Sequence, residues 1–240
     1  MAARKAQLIS VVVPVYKNRE TVGELAAQLC GVTPELELIF VNDACPVGTG
    51  DVLDRLAARY KWIRVIHHST NLGQTAALLR GIEAASGEYI AILDADLQDP
   101  PEALPLLLAE LERGDWGAVF AGRRGNYQNR SRMLTSKIFK GIVTRLADLP
   151  PDAAGFVVFT RAIRERLLRF RLRNYYVPAM IGRCGYPVTS IPVERSQRPC
   201  GESAYTEALR WRTALHRLLS AIELKHKGDS HYADTSHTNS

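Results

Sequence analysis

No apolar run in this 240-residue chain approaches the roughly 20 residues needed to span a bilayer, so any membrane role must be peripheral. The stretch from Ala6 to Val15 is too short for a secretory leader, contains Ser10 and runs into Pro14; no signal peptide is expected. Cysteine is scarce. Cys30, Cys45, Cys184 and Cys200 have no close pair spacing of the zinc or redox kind, which points to reduced thiols and a cytoplasmic setting. Glycine-rich phosphate loops are missing too: Gly48-Thr49-Gly50 has neither the spacing nor the lysine, which argues against a dehydrogenase or an ATPase. No Gly-x-Ser-x-Gly occurs, so a nucleophile-elbow hydrolase is excluded. There is no internal repeat, no linker long enough to separate domains, and no interleaving of aromatic and basic residues to suggest nucleic acid as a partner.

What is present is an ordinary soluble composition, 46% apolar and 23% charged, with a net charge of +6. The positive excess lies from Arg123 onward, which hints that the second half faces an anionic partner. Residues 228–240 are polar and read as a disordered tail. Before it, one domain is expected over 1–227, with a nucleotide-binding half at about 8–122 and an acceptor half at about 123–227.

Short β-branched runs alternate with helical spacing. Strands are expected at Leu8–Val15, Leu36–Val41, Trp62–His67, Glu88–Leu93 and Trp116–Ala121, and helices at Thr21–Cys30, Asp51–Tyr60, Thr75–Ala85 and Glu102–Arg113. That order implies an α/β fold, a mostly parallel sheet with helices on both faces. The alternation is lost afterwards: a helix is expected at 132–146, a strand at Gly155–Thr160, a basic helix at Arg161–Phe170, a strand at Val188–Val193 and an amphipathic helix at Thr206–Leu224.

Ligands of such sheets bind outside the carboxyl ends of the strands, and three polar clusters fall there: Pro14-Val15-Tyr16, Asn42-Asp43 and Asp94-Ala95-Asp96. Asp94 and Asp96, two residues apart at the end of a buried run, lie on one side of an extended backbone and can converge on a hard cation that holds a diphosphate. Gln98 adds an oxygen at the next alternate position. A bare Asp-x-Asp is otherwise a solvated acidic turn, Tyr16 a strand-end core aromatic, and Asp43 a turn former.

Six segments carry a resemblance: Val11-Val12-Val13-Pro14-Val15-Tyr16, Ile39-Phe40-Val41-Asn42-Asp43, the run from Asn71 to Gly81, Asp94-Ala95-Asp96-Leu97-Gln98-Asp99-Pro100-Pro101-Glu102, Ala121-Gly122-Arg123-Arg124, and Arg198-Pro199-Cys200-Gly201-Glu202-Ser203. In this order they resemble family 2 inverting glycosyltransferases of the GT-A fold, most of all the polyprenyl-phosphate group that includes dolichol-phosphate mannose synthases and undecaprenyl-phosphate sugar transferases. The resemblance implies a donor of the nucleotide diphosphate sugar type, UDP- or GDP-linked, held by Pro14, Val15, Tyr16, Asp43, Asn71, Gly73, Gln74, Asp94 and Ala95. It implies Mg2+ or Mn2+ on Asp94, Asp96 and Gln98, and a polyprenyl phosphate or other acceptor near Arg123, Arg132, Arg198 and Ser203. A guanidinium fork suits phosphate, although any one arginine is as well explained as a surface charge. Helix 132–146 resembles an interfacial helix, its stripe of Leu134, Ile138, Phe139, Ile142 and Val143 facing lipid at the inner face of the cell membrane or, as the alternative, packed on the sheet. A homo-oligomer is compatible with all of this.

The chain departs from the family's pattern in places. Asn42-Asp43 stands where an acidic pair is usual, Ala44-Cys45-Pro46-Val47-Gly48 replaces Gly-Ser-x-Asp-Gly, and Ala204 replaces a lysine. Gly155 stands where relatives often place an aspartate as general base, leaving Asp152 as the nearest carboxylate and third catalytic candidate with Asp94 and Asp96. A phosphate acceptor, ionised at neutral pH, needs little base assistance. The rivals are a hydroxyl acceptor with the same donor, and a silent nucleotide-sugar-binding protein.

Overall fold

The computed structural model describes residues 7–124, 141–173, 175–196 and 213–226. Among these described residues, seven strands form one mixed sheet in the order β3-β2-β1-β4-β6-β5-β7. They are β1 (Ile9–Val15), β2 (Leu36–Asn42), β3 (Ile63–His67), β4 (Tyr89–Ile92), β5 (Ala118–Arg124), β6 (Val157–Thr160) and β7 (Val188–Glu194). β1, β2, β3 and β4 pair in parallel, with Ile9 opposite both Leu36 and Tyr89. β6 runs antiparallel between β4 and β5, and β7 is parallel to β5 at the edge. The β-α reading of the first half therefore holds, and strands from both halves of the chain share one sheet. The antiparallel insertion of β6 was not legible in the sequence, because its run Val157-Val158-Phe159 is as apolar as any parallel strand.

Period-2 alternation sorts the strand side chains onto two faces. Val11, Val13, Leu38, Phe40, Ala91 and Leu93 pack with α1 (Val22–Leu29), α2 (Thr49–Arg59) and α4 (Leu104–Arg113). Val12, Ile39, Val41, Ile90 and Ile92 pack with α3 (Gln74–Ala84), α6 (Arg161–Leu167), α7 (Val177–Gly182), α5 (141–146) and α8 (213–226). α7 was not expected, its six residues being too few to show a period. α4 is preceded by a 3-10 turn at Pro101–Ala103, where the missing proline N–H costs nothing.

α3 lies very close to the sheet. A Cβ on Gly81 would stand 2.3 Å from Val12 Cγ1 and 3.0 Å from Val41 Cγ2, so only glycine admits this approach. The basic helix α6 spends much of its charge on carbonyl oxygens. Arg164 donates to Ile82 O and Glu83 O at the end of α3, Arg161 to Ser86 O and Gly87 O, and Arg166 to Cys184 O just after α7. Arg164 thus caps the end of α3, and the other two pin the loops that follow α3 and α7.

The apolar stripe of helix 132–146 is divided where the structure describes it: Ile142 is exposed, but Val143 is buried in the core, the packed alternative. Leu134, Ile138 and Phe139 lie outside the described residues, as does the tail.

Candidate active site

The chain order reverses between β1 and β4, which places a crevice at their carboxyl ends. Three turns close around it: residues 16–18 after β1, 43–48 after β2 and 93–99 after β4. Each contains a non-glycine residue with left-handed backbone, Lys17 (φ 60°), Ala44 (φ 50°) and Leu97 (φ 59°). Such residues are uncommon and cluster where surrounding contacts over-determine the chain.

At the first two turns, Tyr16 is 43% exposed, with Lys17 Nζ 5.4 Å from its ring centre. Lys17 N donates to Cys45 Sγ at 3.0 Å, and the same sulfur lies 3.0 Å from Thr49 Oγ1, so one thiol ties the β1 turn to the β2 turn. Burial alone would raise the Cys45 pKa, but hydrogen bonds from Thr49, Val47 and Lys17 outweigh it and hold the thiol below its ordinary value. Asn42 accepts from Cys45 N at 3.2 Å and faces His67 Nδ1 at 3.0 Å. Pro14 and Val15 are buried, so neither offers side-chain surface, and Val15 O accepts from Asp43 N.

Asp43 is only 3% exposed. Its Oδ1 accepts from His68 Nδ1 and Leu72 N, each at 2.8 Å, and its Oδ2 from Gly73 N at 2.7 Å. Asn71 Nδ2 donates to Asp43 O at 3.2 Å. The carboxylate thus moulds the whole 68–73 loop and starts α3, whose first residue, Gln74, donates from Nε2 to Asp94 Oδ1 at 2.9 Å. Gly73 at φ 90° is the turn that makes this possible.

The acidic stretch keeps strand-like alternation beyond β4. Asp94, Asp96 and Gln98 are partly exposed, while Leu93, Ala95, Leu97 and Asp99 are buried. Thr21 Oγ1 anchors it by donating to Ala95 O at 2.5 Å, and Gln98 N donates to Asp96 Oδ1 at 3.2 Å. Among the described residues no three His, Cys, Asp or Glu side chains converge as a metal cage. Two carboxylates and an amide oxygen on one side of the chain are nonetheless hard-oxygen donors that fit Mg2+ or Mn2+, which take further ligands from water and phosphate. Gly155 adjoins them: a Cβ there would meet Asp94 Oδ2 at 3.6 Å, ordinary contact.

Asp152 is held by other partners than the Asp94 row. Its Oδ1 accepts from Ser190 Oγ at 2.6 Å, and its Oδ2 would lie 2.0 Å from a Cβ on Gly122, so it is fitted against β5 and β7. Arg123 is placed by its main chain, opposite Val193. Arg132, Arg198 and Ser203 lie outside the described residues. Arg80, within the 71–81 segment, pairs with Glu83 on the α3 surface.

Sequence reasoning missed Arg195. Its guanidinium meets both Asp99 oxygens, Nε to Oδ1 at 2.5 Å and an Nη to Oδ2 at 2.9 Å. Burial would lower the Arg195 pKa, but Asp99 above all, with Asp96 and Asp94 adding, raises it above the usual value. The signal available was Asp99 itself: an aspartate in an otherwise apolar alternation requires a buried partner. His68 was missed as well, with no motif to mark it.

The Glycosyl transferase family 2 pattern matches residues 10–184. The chain belongs to glycosyltransferase family 2. It is 30% identical over 207 residues to an undecaprenyl-phosphate 4-deoxy-4-formamido-L-arabinose transferase of Pseudomonas fluorescens, a match covering 82% of this chain and 60% of that protein. The corresponding transferase of Pseudomonas syringae is 29% identical over 83% of this chain and 61% of its own length. The chain thus spans about three fifths of these curated relatives. Among solved structures, glucosyl-3-phosphoglycerate synthase of Mycobacterium tuberculosis, in complex with Mn2+, UDP and phosphoglyceric acid, superposes with a TM-score of 0.64 at 18% identity, covering 91% of this chain and 78% of that one. A mannosyltransferase of Pyrobaculum calidifontis, in complex with GDP-mannose and Mn2+, gives 0.61 at 17% identity, covering 98% and 77%. The family 2 chain therefore has the GT-A fold, α/β with a mostly parallel sheet, as its motifs implied.

Proposed function

We propose that this family 2 chain transfers a sugar from a nucleotide diphosphate sugar to a phosphate-bearing acceptor, a polyprenyl phosphate, at the cytoplasmic face of the membrane. The observation that carries the reading is the partly exposed row Asp94, Asp96 and Gln98 at the β1/β4 crevice, with Gly155 rather than an acid beside Asp94. The nucleoside would lie along Tyr16 and the Asp43-moulded loop, and the diphosphate would lie toward Asp94 and Asp96. Those two carboxylates and Gln98 would hold Mg2+ or Mn2+, which supplies positive charge for the leaving nucleoside diphosphate. Gln74 fixes the Asp94 carboxylate through Oδ1. The acceptor phosphate oxygen forms its bond to the anomeric carbon as the carbon–oxygen bond to the diphosphate breaks, with inversion. That oxygen carries no proton at neutral pH, so the absence of a carboxylate at Gly155 leaves the step complete.

The relatives named for undecaprenyl phosphate support the acceptor class. No helix among the described residues is long and apolar enough to cross a membrane. On α8, Leu215, Leu219 and Ile222 are exposed at helical spacing, with exposed Arg217 and Lys225 nearby, a surface suited to anionic lipid.

The test is a transfer screen of UDP- and GDP-sugars with Mn2+ or Mg2+, with and without polyprenyl phosphate, on wild type and Asp96→Ala. Transfer that needs the lipid phosphate, is abolished by chelator and is lost in Asp96→Ala is expected. Transfer to sugar hydroxyls alone would replace the acceptor assignment, and full activity in chelator would remove the metal.

A further inference from the structure

The 93–99 turn is gripped from the far edge of the sheet. β7 delivers Arg195 and Ser196 against it: Arg195 sets one edge of its guanidinium across both oxygens of Asp99, an Nη donating to Oδ2 at 2.9 Å and Nε in ion-pair contact with Oδ1 at 2.5 Å, and Ser196 N donates to Gln98 O at 3.0 Å. Gln98 is therefore held on both main-chain sides, its N on Asp96 and its O on Ser196. The turn so held contains Leu97 in left-handed backbone, buried at 7% exposure, a conformation that does not persist without support. Asp99 is 2% exposed and the Arg195 side chain 9%, so solvent screens the pair little.

We infer that Arg195 is a positioning residue: by clamping Asp99 it fixes the turn that presents Asp96 and Gln98 to the divalent cation. This rests on the metal reading proposed above. Two roles for Arg195 predict opposite signs. As a mere countercharge near Asp94 and Asp96 it weakens cation binding, and its removal strengthens it. As a clamp it strengthens cation binding, and loss of its fork weakens it. Lysine keeps the charge but not the fork. The double variant Asp99→Asn/Arg195→Gln keeps the net charge, leaves no unpaired buried ion, and also loses the fork.

The experiment titrates Mn2+ alone, without donor, into the full chain by calorimetry and by electron paramagnetic resonance of free Mn2+. Wild type, R195K, R195Q and the double variant are compared, with thermal melts of each. Outer-shell partners of metal ligands are commonly worth roughly 10–100-fold in affinity, and a loss in that range is expected for both R195K and the double variant. Wild-type affinity in folded R195K, or tighter binding in R195Q, would overturn the clamp while leaving the metal reading intact. No Mn2+ binding by wild type would overturn both. If the double variant does not fold, R195K decides alone.

Discussion

Asp43→Asn tests the part of the crevice on which the donor loop depends. The aspartate offers two oxygens to three donors, His68 Nδ1 and Leu72 N on one and Gly73 N on the other. Asparagine has one oxygen and one NH2 group. With the oxygen toward His68 and Leu72, the NH2 opposes the Gly73 N–H; reversed, two bonds are lost. The smaller loss is one hydrogen bond to a charged acceptor, about 1.5–3 kcal/mol. For a chain of this size that is a fall in Tm of roughly 3–12 °C. The loop it releases carries Asn71 and Gly73 and leads to Gln74, so UDP or GDP affinity should fall about tenfold, equivalent to about 1.4 kcal/mol. Differential scanning calorimetry gives the first quantity and titration calorimetry with each nucleotide the second. A lowered Tm with unchanged affinity would make Asp43 a purely structural turn former. Unchanged values of both would refute the role assigned to its three acceptor contacts.

Gly81→Ala should cost about 1–3 kcal/mol by overpacking, seen as a lower denaturant midpoint, because its Cβ would overlap Val12. At the opposite end of the sheet from the crevice, burial would raise the Glu37 pKa, but hydrogen bonds from Ser10, Arg64 and Ser86 outweigh it and hold Glu37 below its ordinary 4.5. A depressed carboxylate contributes stability above its unfolded pKa and loses it as pH falls through the folded one. Glu37→Gln should thus be less stable than wild type at pH 7, and urea titrations should show the gap closing below about pH 4.5. Iodoacetamide at pH 7.5 should label Cys45 in the folded chain and spare Cys184, whose buried thiol is pushed up to about 12; peptide mass spectrometry reporting equal rates would contradict this.

The sheet was readable because buried parallel strands announce themselves as β-branched runs, and Ile9–Val15, Leu36–Asn42 and Ile63–His67 fall within a residue of where such runs placed them. Asp94, Asp96 and Gln98 were readable as one row because alternation is a local property of the chain. Arg195 was not, since its partner is 96 residues away and the contact depends on the order in which β6 and β7 join the sheet. The charge of α6 misled for the same reason: composition counts Arg161, Arg164 and Arg166, but only tertiary placement shows them donating to carbonyl oxygens. Asp152 and Gly155, three residues apart, could not be ranked from sequence. In the fold Gly155 adjoins Asp94, whereas Asp152 is fitted against Gly122 and Ser190.

The left-handed turns at Lys17, Ala44 and Leu97 bear on how this protein would respond to selection. Each holds an L-residue where glycine sits more comfortably, at a cost of about 1–2 kcal/mol. Glycine elsewhere in a folded chain is usually a destabilising replacement; at these three positions it would relieve the backbone. A laboratory lineage selected only for heat resistance would therefore drift first at the mouth of the crevice, acquiring glycine or asparagine at 17 and 44, whereas Leu97 would stay, because its buried side chain contributes more than the backbone relief returns. The same lineage would grow tougher as the rims of its crevice became less sharply defined, and a screen that also scores Mn2+ or nucleotide binding would hold those positions fixed.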